Sequence, residues 1–441
     1  MMRIETRRQV CRTAIAACAL VAAALPAARV QAVPEHRRAA LPCTAQGWVA
    51  SWAASPSDGV VPFDASLRGV PTTLTGQTVR MVITPHLGGS SVRVRLSNRF
   101  GREPVTFGRV TIAPQTQGAA IGTPVPLAFD GSASVTVPAG QDVVSDAASL
   151  TFAAFTPLSV SIFLPRRTEA ATKHWNANAT SFYAGKNTGD LTGRATADGF
   201  ANKTLSWLFV AGLDVQSNAR AVVAFGDSIT DGFVGGGRLS IPADASVADK
   251  NGRYPDELQR RLDAADLGIS VVNAGIGSNQ LLGGLGLMDG PSGLSRFRKD
   301  ALDIPGATGV LVLEGINDLG LRIGVTPAEI QDGYIRLITQ AHAAGKKIWL
   351  GTLTPAANAL IDGTATAPDS EKHRQQVNTW IRDQTLADGV VDFDAAVRDP
   401  AEPSQLLPAY ASPDDLHPSL EGYKKMAAAV PLDLLDTAPC P

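Results

Sequence analysis

The sequence predicts an all-β sandwich or barrel over residues 48–215, followed by an α/β domain with a parallel sheet over residues 219–437. Two changes of rhythm carry this. From about Trp48 to about Val215, short runs alternate apolar and polar residues. In "SVRVRLS" (91–97), Val92, Val94 and Leu96 share one face, and Arg93 and Arg95 the other. "TVRMVIT" (78–84), "SVTVP" (134–138) and "LSVSIFL" (158–164) behave alike, separated by Gly, Pro, Asn and Asp. A period of two broken by turn residues is the signature of antiparallel sheets. From Ala221 onward, continuous apolar runs alternate with helical segments, which implies strands buried on both faces.

The elements of the second part follow in order. "AVVAF" (221–225) is the first strand. "YPDELQRRLDAA" (254–265) is a helix with Pro in its first turn, and "ISVVNAG" (269–275) and "TGVLVLEG" (308–315) are strands. Thr326, Pro327 and Glu329 form a capping box and a Pro-initiated start for a helix that stops at Gly345. "KKIWLGTLT" (346–354) is a strand, Ser370 to about Leu386 a helix, "GVVDFD" (389–394) the last strand, and a helix follows His417. The join between the two parts falls near "QSNAR" (216–220).

Composition narrows the function. A chain of 441 residues calls for two or three domains. Charged residues are 18% and the net charge is −2, so nothing advertises a nucleic-acid partner, which would need a basic patch or stripe. Residues 1–32 read as an export signal. Arg3, Arg7, Arg8 and Arg12 precede an Ala-rich apolar run over 13–25, and "VQA" ends at a small-residue cleavage site after Ala32. The run is too short to span a membrane, so no stable membrane insertion is expected. Twin arginines at Arg7 and Arg8 keep the Tat route open beside Sec. The expected location is secreted or periplasmic, with residues 33–47 as a linker. Of the four cysteines, Cys43 and Cys440 remain after cleavage, near the two ends of the mature chain, and are expected to pair in an oxidising compartment.

Ligands of parallel α/β sheets bind beyond the carboxyl ends of the strands. Those ends carry Gly226-Asp227-Ser228, then "NAGIGSN" (273–279), then "EGIND" (314–318), and finally "DDLHP" (414–418). A hydroxyl, amides and an imidazole beside a carboxylate therefore fall on one rim. A serine needs a base to become a nucleophile, and that imidazole needs an acceptor on its other nitrogen. Ser228, His417 and Asp414 fill these roles. Developing oxyanion charge needs N–H donors. The backbone of Ser228, a backbone N–H of Gly277 or Ser278, and the Asn317 amide are the candidates. Asp227, Asp318, Asp392 and Asp394 are read as structural, His86 has no partner pattern, and His174, beside Trp175, is a candidate for a cleft facing the second domain.

Together "FGDSITDG", "VVNAGIG", "LEGIND" and "DDLHPSLEGY" resemble the four blocks of the SGNH (GDSL) hydrolases, in order, over about residues 219–436. The resemblance implies a flavodoxin-like three-layer α/β/α domain and a serine esterase or lipase that needs no cofactor or metal. It implies Ser228 as nucleophile, His417 as base, Asp414 as its partner and Asn317 as an oxyanion donor. One block departs: the family usually has Gly five residues after the block's Asn, and here that position is Ser278. "WVASWAASP" and "VRVRLSNRFG" resemble the N-terminal region of exported bacterial members. The layout is similar to carbohydrate esterases with a jelly-roll-like domain ahead of the hydrolase. The expected substrate is a small-molecule or polysaccharide ester with a short acyl or acetyl group. The alternatives are a lipase or lysophospholipase for longer chains, or a carbohydrate-binding protein with an inactive hydrolase domain.

Overall fold

The computed structural model describes residues 46–169, 171–284 and 290–436. The expected export signal and the expected Cys43–Cys440 pairing lie outside these residues.

The N-terminal half is built of antiparallel strands. Gly89–Ser97 is central to one sheet, between Val210–Ser217 and the pair Asp142–Val144 and Ala148–Phe152, with Gly47–Ala53 at the far edge. A second sheet centres on Leu158–Leu164, paired along its length with Gln77–Ile83 and Arg109–Gln117. The alternation read from the sequence accounts for the packing. Val92, Val94 and Leu96 of the first sheet meet Val79, Met81, Ile83, Val160 and Ile162 of the second in one apolar cluster. The opposite face of the second sheet is covered as well, by Ala119, Phe182, Ala184 and Phe200. Arg80 is consequently buried. Its guanidinium donates to Ser161 Oγ, Ala119 O and Arg194 O and lies over the Phe200 ring.

The C-terminal half is a parallel sheet of five strands: β1 (Arg220–Gly226), β2 (Ile269–Gly275), β3 (Ala307–Leu313), β4 (Lys347–Gly351) and β5 (Gly389–Val391). Their order is β2-β1-β3-β4-β5, all parallel, the doubly wound order with its switch point beside the first strand. Helix α1 (Ser228–Asp231) follows β1, and α2 (Tyr254–Ala264) precedes β2. Then come α3 (Ile316–Leu321), α4 (Pro327–Ala343), α5 (Ser370–Asp383) and α6 (Leu420–Ala429). Thr326 and Glu329 make the expected capping box at α4. Asp392 caps the short helix Phe393–Val397 and pairs with Arg382, and Asp394 pairs with Arg374, so both are structural as expected. No helix among the described residues is long and apolar enough to cross a membrane.

Two residues, Asn218 and Ala219, connect the last strand of the β half to β1. The halves also share packing. Strand Gly47–Ala53 places Ala50 and Ala53 in the α/β core and Trp52 in the β core. Ala50 N–H donates to Pro305 O at 2.9 Å, and Ser270 Oγ donates to Ala50 O at 2.8 Å.

Candidate active site

The corner after β1 explains why its apolar run ends so abruptly. A Cβ on Gly226 would lie 2.1 Å from Leu313 O and 2.4 Å from Thr230 Oγ1, so β1 meets β3 and α1 too closely for a side chain. Asp227 is the N-cap of α1, and its Oδ1 accepts from Ile229 N at 2.9 Å. Ser228 is thereby the first residue of the helix, at the carboxyl end of β1. The residue is only 6% exposed, and its Oγ meets His417 Nε2 at 2.7 Å.

His417 and Asp414 come from the loop before α6. Asp414 Oδ2 lies 2.7 Å from His417 Nδ1. Its Oδ1 accepts from Ser412 Oγ at 2.8 Å, His417 N at 3.0 Å and Leu416 N at 3.2 Å. Burial alone would raise the Asp414 carboxyl. The His417 ring bond and charge, with the backbone and Ser412 bonds, outweigh it and hold the group well below the usual carboxylate range. An ionised Asp414 keeps the proton on Nδ1 and leaves Nε2 with a lone pair toward Ser228. The Phe233 ring packs on the imidazole at a centroid distance of 4.6 Å.

Gly235 forms the floor beneath the carboxylate. A Cβ there would sit 2.2 Å from Asp414 Oδ2. The sequence "VGGG" reads as a loop of the rim, and the reason for its first glycine appears only in three dimensions.

Bonds among the strand ends tie the candidate oxyanion donors into one network. Ile276 N donates to Gly226 O at 3.1 Å. Asn273 Nδ2 donates to Thr230 O at 2.7 Å. Asn317, at the start of α3, uses one amide hydrogen on Asn279 O at 2.9 Å, leaving the other for a ligand. Ser278 adopts φ +58°, the left-handed region that glycine enters without strain. This gives a physical reason for glycine at that position in the resembling family. Among the described residues, no acceptor is found for the backbone N–H of Ser228, Gly277 or Ser278.

Arg296 is the residue that sequence reasoning missed. Its guanidinium donates to Asn279 Oδ1 at 2.7 Å, Ala274 O at 2.7 Å and Gly226 O at 2.8 Å, and lies 3.9 Å over Phe225. One cation therefore pins the ends of β1 and β2 and the loop that holds Asn317. Around it lie buried acids. Burial raises Asp227 to about 7 and Glu314 to about 8, with Arg296 opposing both shifts. Burial likewise raises Asp318 to about 6, against its bonds from the N–H groups of Leu281 and Leu282. Asp227 and Asp318 are thus loop-holding residues, as their sequence context implies.

A hydroxyl, an imidazole and a carboxylate thus stand in hydrogen-bonding sequence at the carboxyl end of the parallel sheet. Residues 224–425 match the model of the GDSL-like Lipase/Acylhydrolase family. The α/β half of this chain belongs to that family, and the chain is a carboxylic ester hydrolase. None of the curated proteins with which the chain was compared matches it. Similar solved structures include a carbohydrate acetylesterase from Sinorhizobium meliloti, at 18% identity over 48% of this chain and 95% of that one, with a TM-score of 0.38. An aryl esterase from M. smegmatis is 17% identical over 48% and 96%, with a TM-score of 0.39. A GDSL-like lipase from Bacteroides thetaiotaomicron is 20% identical over 49% and 88%, with a TM-score of 0.36. The family assignment rests on the matched segment and its motifs.

Among the described residues no group of His, Cys, Asp and Glu could hold a metal ion.

Proposed function

We propose that this chain is an exported serine esterase that cleaves short-chain or acetyl esters, acetylated carbohydrate among them. The observation that carries the reading is the unbroken chain Ser228 Oγ–His417 Nε2, His417 Nδ1–Asp414 Oδ2, with both contacts at 2.7 Å. In the first step Ser228 Oγ attacks the ester carbonyl carbon while His417 Nε2 takes the hydroxyl proton. The negative oxygen is met by the N–H of Ser228, the N–H of Gly277 or Ser278, and the free hydrogen of the Asn317 amide. Collapse expels the alcohol, which takes the proton from His417, and leaves an acyl-serine. Water then attacks with His417 again as base and releases the carboxylic acid.

Export is supported by the arginine-flanked apolar start and its cleavage site. A jelly-roll-like reading of the β half is supported by two antiparallel sheets sharing one core. The preference for short acyl groups rests on the sequence around the cleft, where "LLGGLGLMDGPSGL" (281–294) carries no long apolar lid.

The test is hydrolysis of p-nitrophenyl esters from acetate to dodecanoate by wild type and Ser228→Ala. The expected result is turnover of acetate, little turnover of dodecanoate, and a silent but folded Ser228→Ala. Preference for dodecanoate would replace the short-chain reading with a lipase. Equal activity in wild type and variant would remove Ser228 from the mechanism.

A further inference from the structure

Helix α1 has a single turn, with Ser228 at its start and Asp231 at its end. The ester chemistry has no task for Asp231, yet its side chain is buried and faces the β half. Residues 174–178 of that half grip this end of the helix. His174 Nε2 lies 3.0 Å from Asp231 Oδ1, and Asn178 Nδ2 donates to Gly232 O at 2.7 Å. Arg253 bridges the two halves, donating to Asp231 O at 2.8 Å and to Ala177 O.

The grip is anchored behind. His174 Nδ1 donates to Ser55 O at 2.8 Å, and the ring packs on Trp207, whose indole N–H donates to Val82 O at 2.6 Å. With an acceptor facing each ring nitrogen, the doubly protonated imidazole satisfies both. Burial alone would lower the affinity of His174 for its proton. The Asp231 charge and bond and the Ser55 carbonyl outweigh burial and the opposing Arg253, and raise it. The helix passes any movement to the nucleophile directly, because Asp231 N donates to Asp227 O and Phe233 N to Ser228 O, each at 2.9 Å.

We propose that the β half is a working part of the esterase, and that His174 is a positioning residue which, through Asp231, fixes the one-turn helix carrying Ser228. This rests on the reading of Ser228 as nucleophile. The β half then has a task without binding any glycan: it holds the hydroxyl within reach of His417. Geometric displacement of a nucleophile lowers the rate of the chemical step, and leaves substrate binding largely alone.

The experiment uses the full chain as wild type, His174→Leu and His174→Gln. Active sites are counted by end-point labelling with a fluorophosphonate, and kcat and KM for p-nitrophenyl acetate are expressed per labelled site. Loss of folded protein lowers the count and leaves kcat per site intact. Loss of positioning lowers kcat per site. The expected result is a fall in kcat of about tenfold or more for His174→Leu, with KM within about twofold and the labelling rate slowed in step. His174→Gln, whose amide can still donate to Asp231, recovers most of the loss. Unchanged kcat per site in His174→Leu overturns the proposal. If His174→Leu yields no folded protein, Asn178→Gly carries the test. It keeps the left-handed backbone (φ +47°) and removes the bond to Gly232. A fall in kcat alone supports the proposal, and an unchanged kcat overturns it. A wild type that neither hydrolyses esters nor labels overturns the esterase reading and the positioning role with it. An active wild type with indifferent variants overturns the positioning role alone.

Discussion

Gly235→Ala is a sharp test of how Asp414, the proposed catalytic carboxylate, is held. The added Cβ would stand 2.2 Å from Asp414 Oδ2, 2.4 Å from Cγ and 2.9 Å from Cβ. Ordinary contact begins near 3.4 Å, so about 1.2 Å of movement is required. Neither partner yields easily. Asp414 is fixed by four bonds between 2.7 and 3.2 Å, and Gly235 N itself donates to Ser412 Oγ at 3.3 Å. The displacement must fall on the His417–Asp414 contact, on which the imidazole tautomer depends. A misplacement of about 1 Å costs on the order of 10²-fold in rate. The expected result for Gly235→Ala is therefore a kcat for p-nitrophenyl acetate lower by about 10²-fold, with KM little changed and the thermal midpoint within a few degrees of wild type. A kcat within about threefold of wild type, in a folded variant, would show that the carboxylate is not packed against this glycine as described.

Two further outcomes are expected. Asn317→Ala removes a proposed oxyanion donor and should lower kcat by about 10²–10³-fold with a near-normal KM; an undiminished kcat would leave the oxyanion to backbone donors alone. Glu314 is buried with both oxygens lacking a hydrogen-bond partner, and its acidity is shifted from 4.5 to about 8. Between those values the folded protein holds a proton that the unfolded chain releases, so this group's contribution to stability falls as pH rises through that window. Glu314→Gln abolishes that slope, so urea midpoints at pH 5 and pH 8 should differ less in the variant than in wild type. Parallel pH profiles would refute the assignment of a neutral Glu314 at pH 7.

The parts of the molecule that were legible in the sequence are those coded locally. The apolar runs at 221–225, 269–275 and 308–315 fall on β1, β2 and β3. The capping box at Thr326 and Glu329 sits three residues apart, within one helical turn. Ser228, Asp414 and His417 were readable because strand ends of a parallel sheet gather on one rim, and Asp414 is three residues from His417. What escaped depends on contacts between distant segments. Arg296 lies on the short helix Gly293–Phe297, and its acceptors are 17, 22 and 70 residues away. His86 shows no local partner, yet its ring faces Val271 O and Asp256 across 185 and 170 residues. Arg80 sits where alternation assigns an outward polar residue, but a second layer covers that face and buries it.

The two-residue connection at Asn218 and Ala219 has a kinetic consequence. Domain closure around a ligand needs a hinge, a few residues free to absorb large dihedral changes. Here the connection runs from one paired strand straight into another, Val210–Ser217 into β1. Strand Gly47–Ala53 crosses the same seam with residues in both cores. A short connection and shared cores of this kind disfavour opening of the halves as a step in the cycle. On the proposed mechanism, substrate would reach Ser228 over the rim of the sheet, without a separation of the halves.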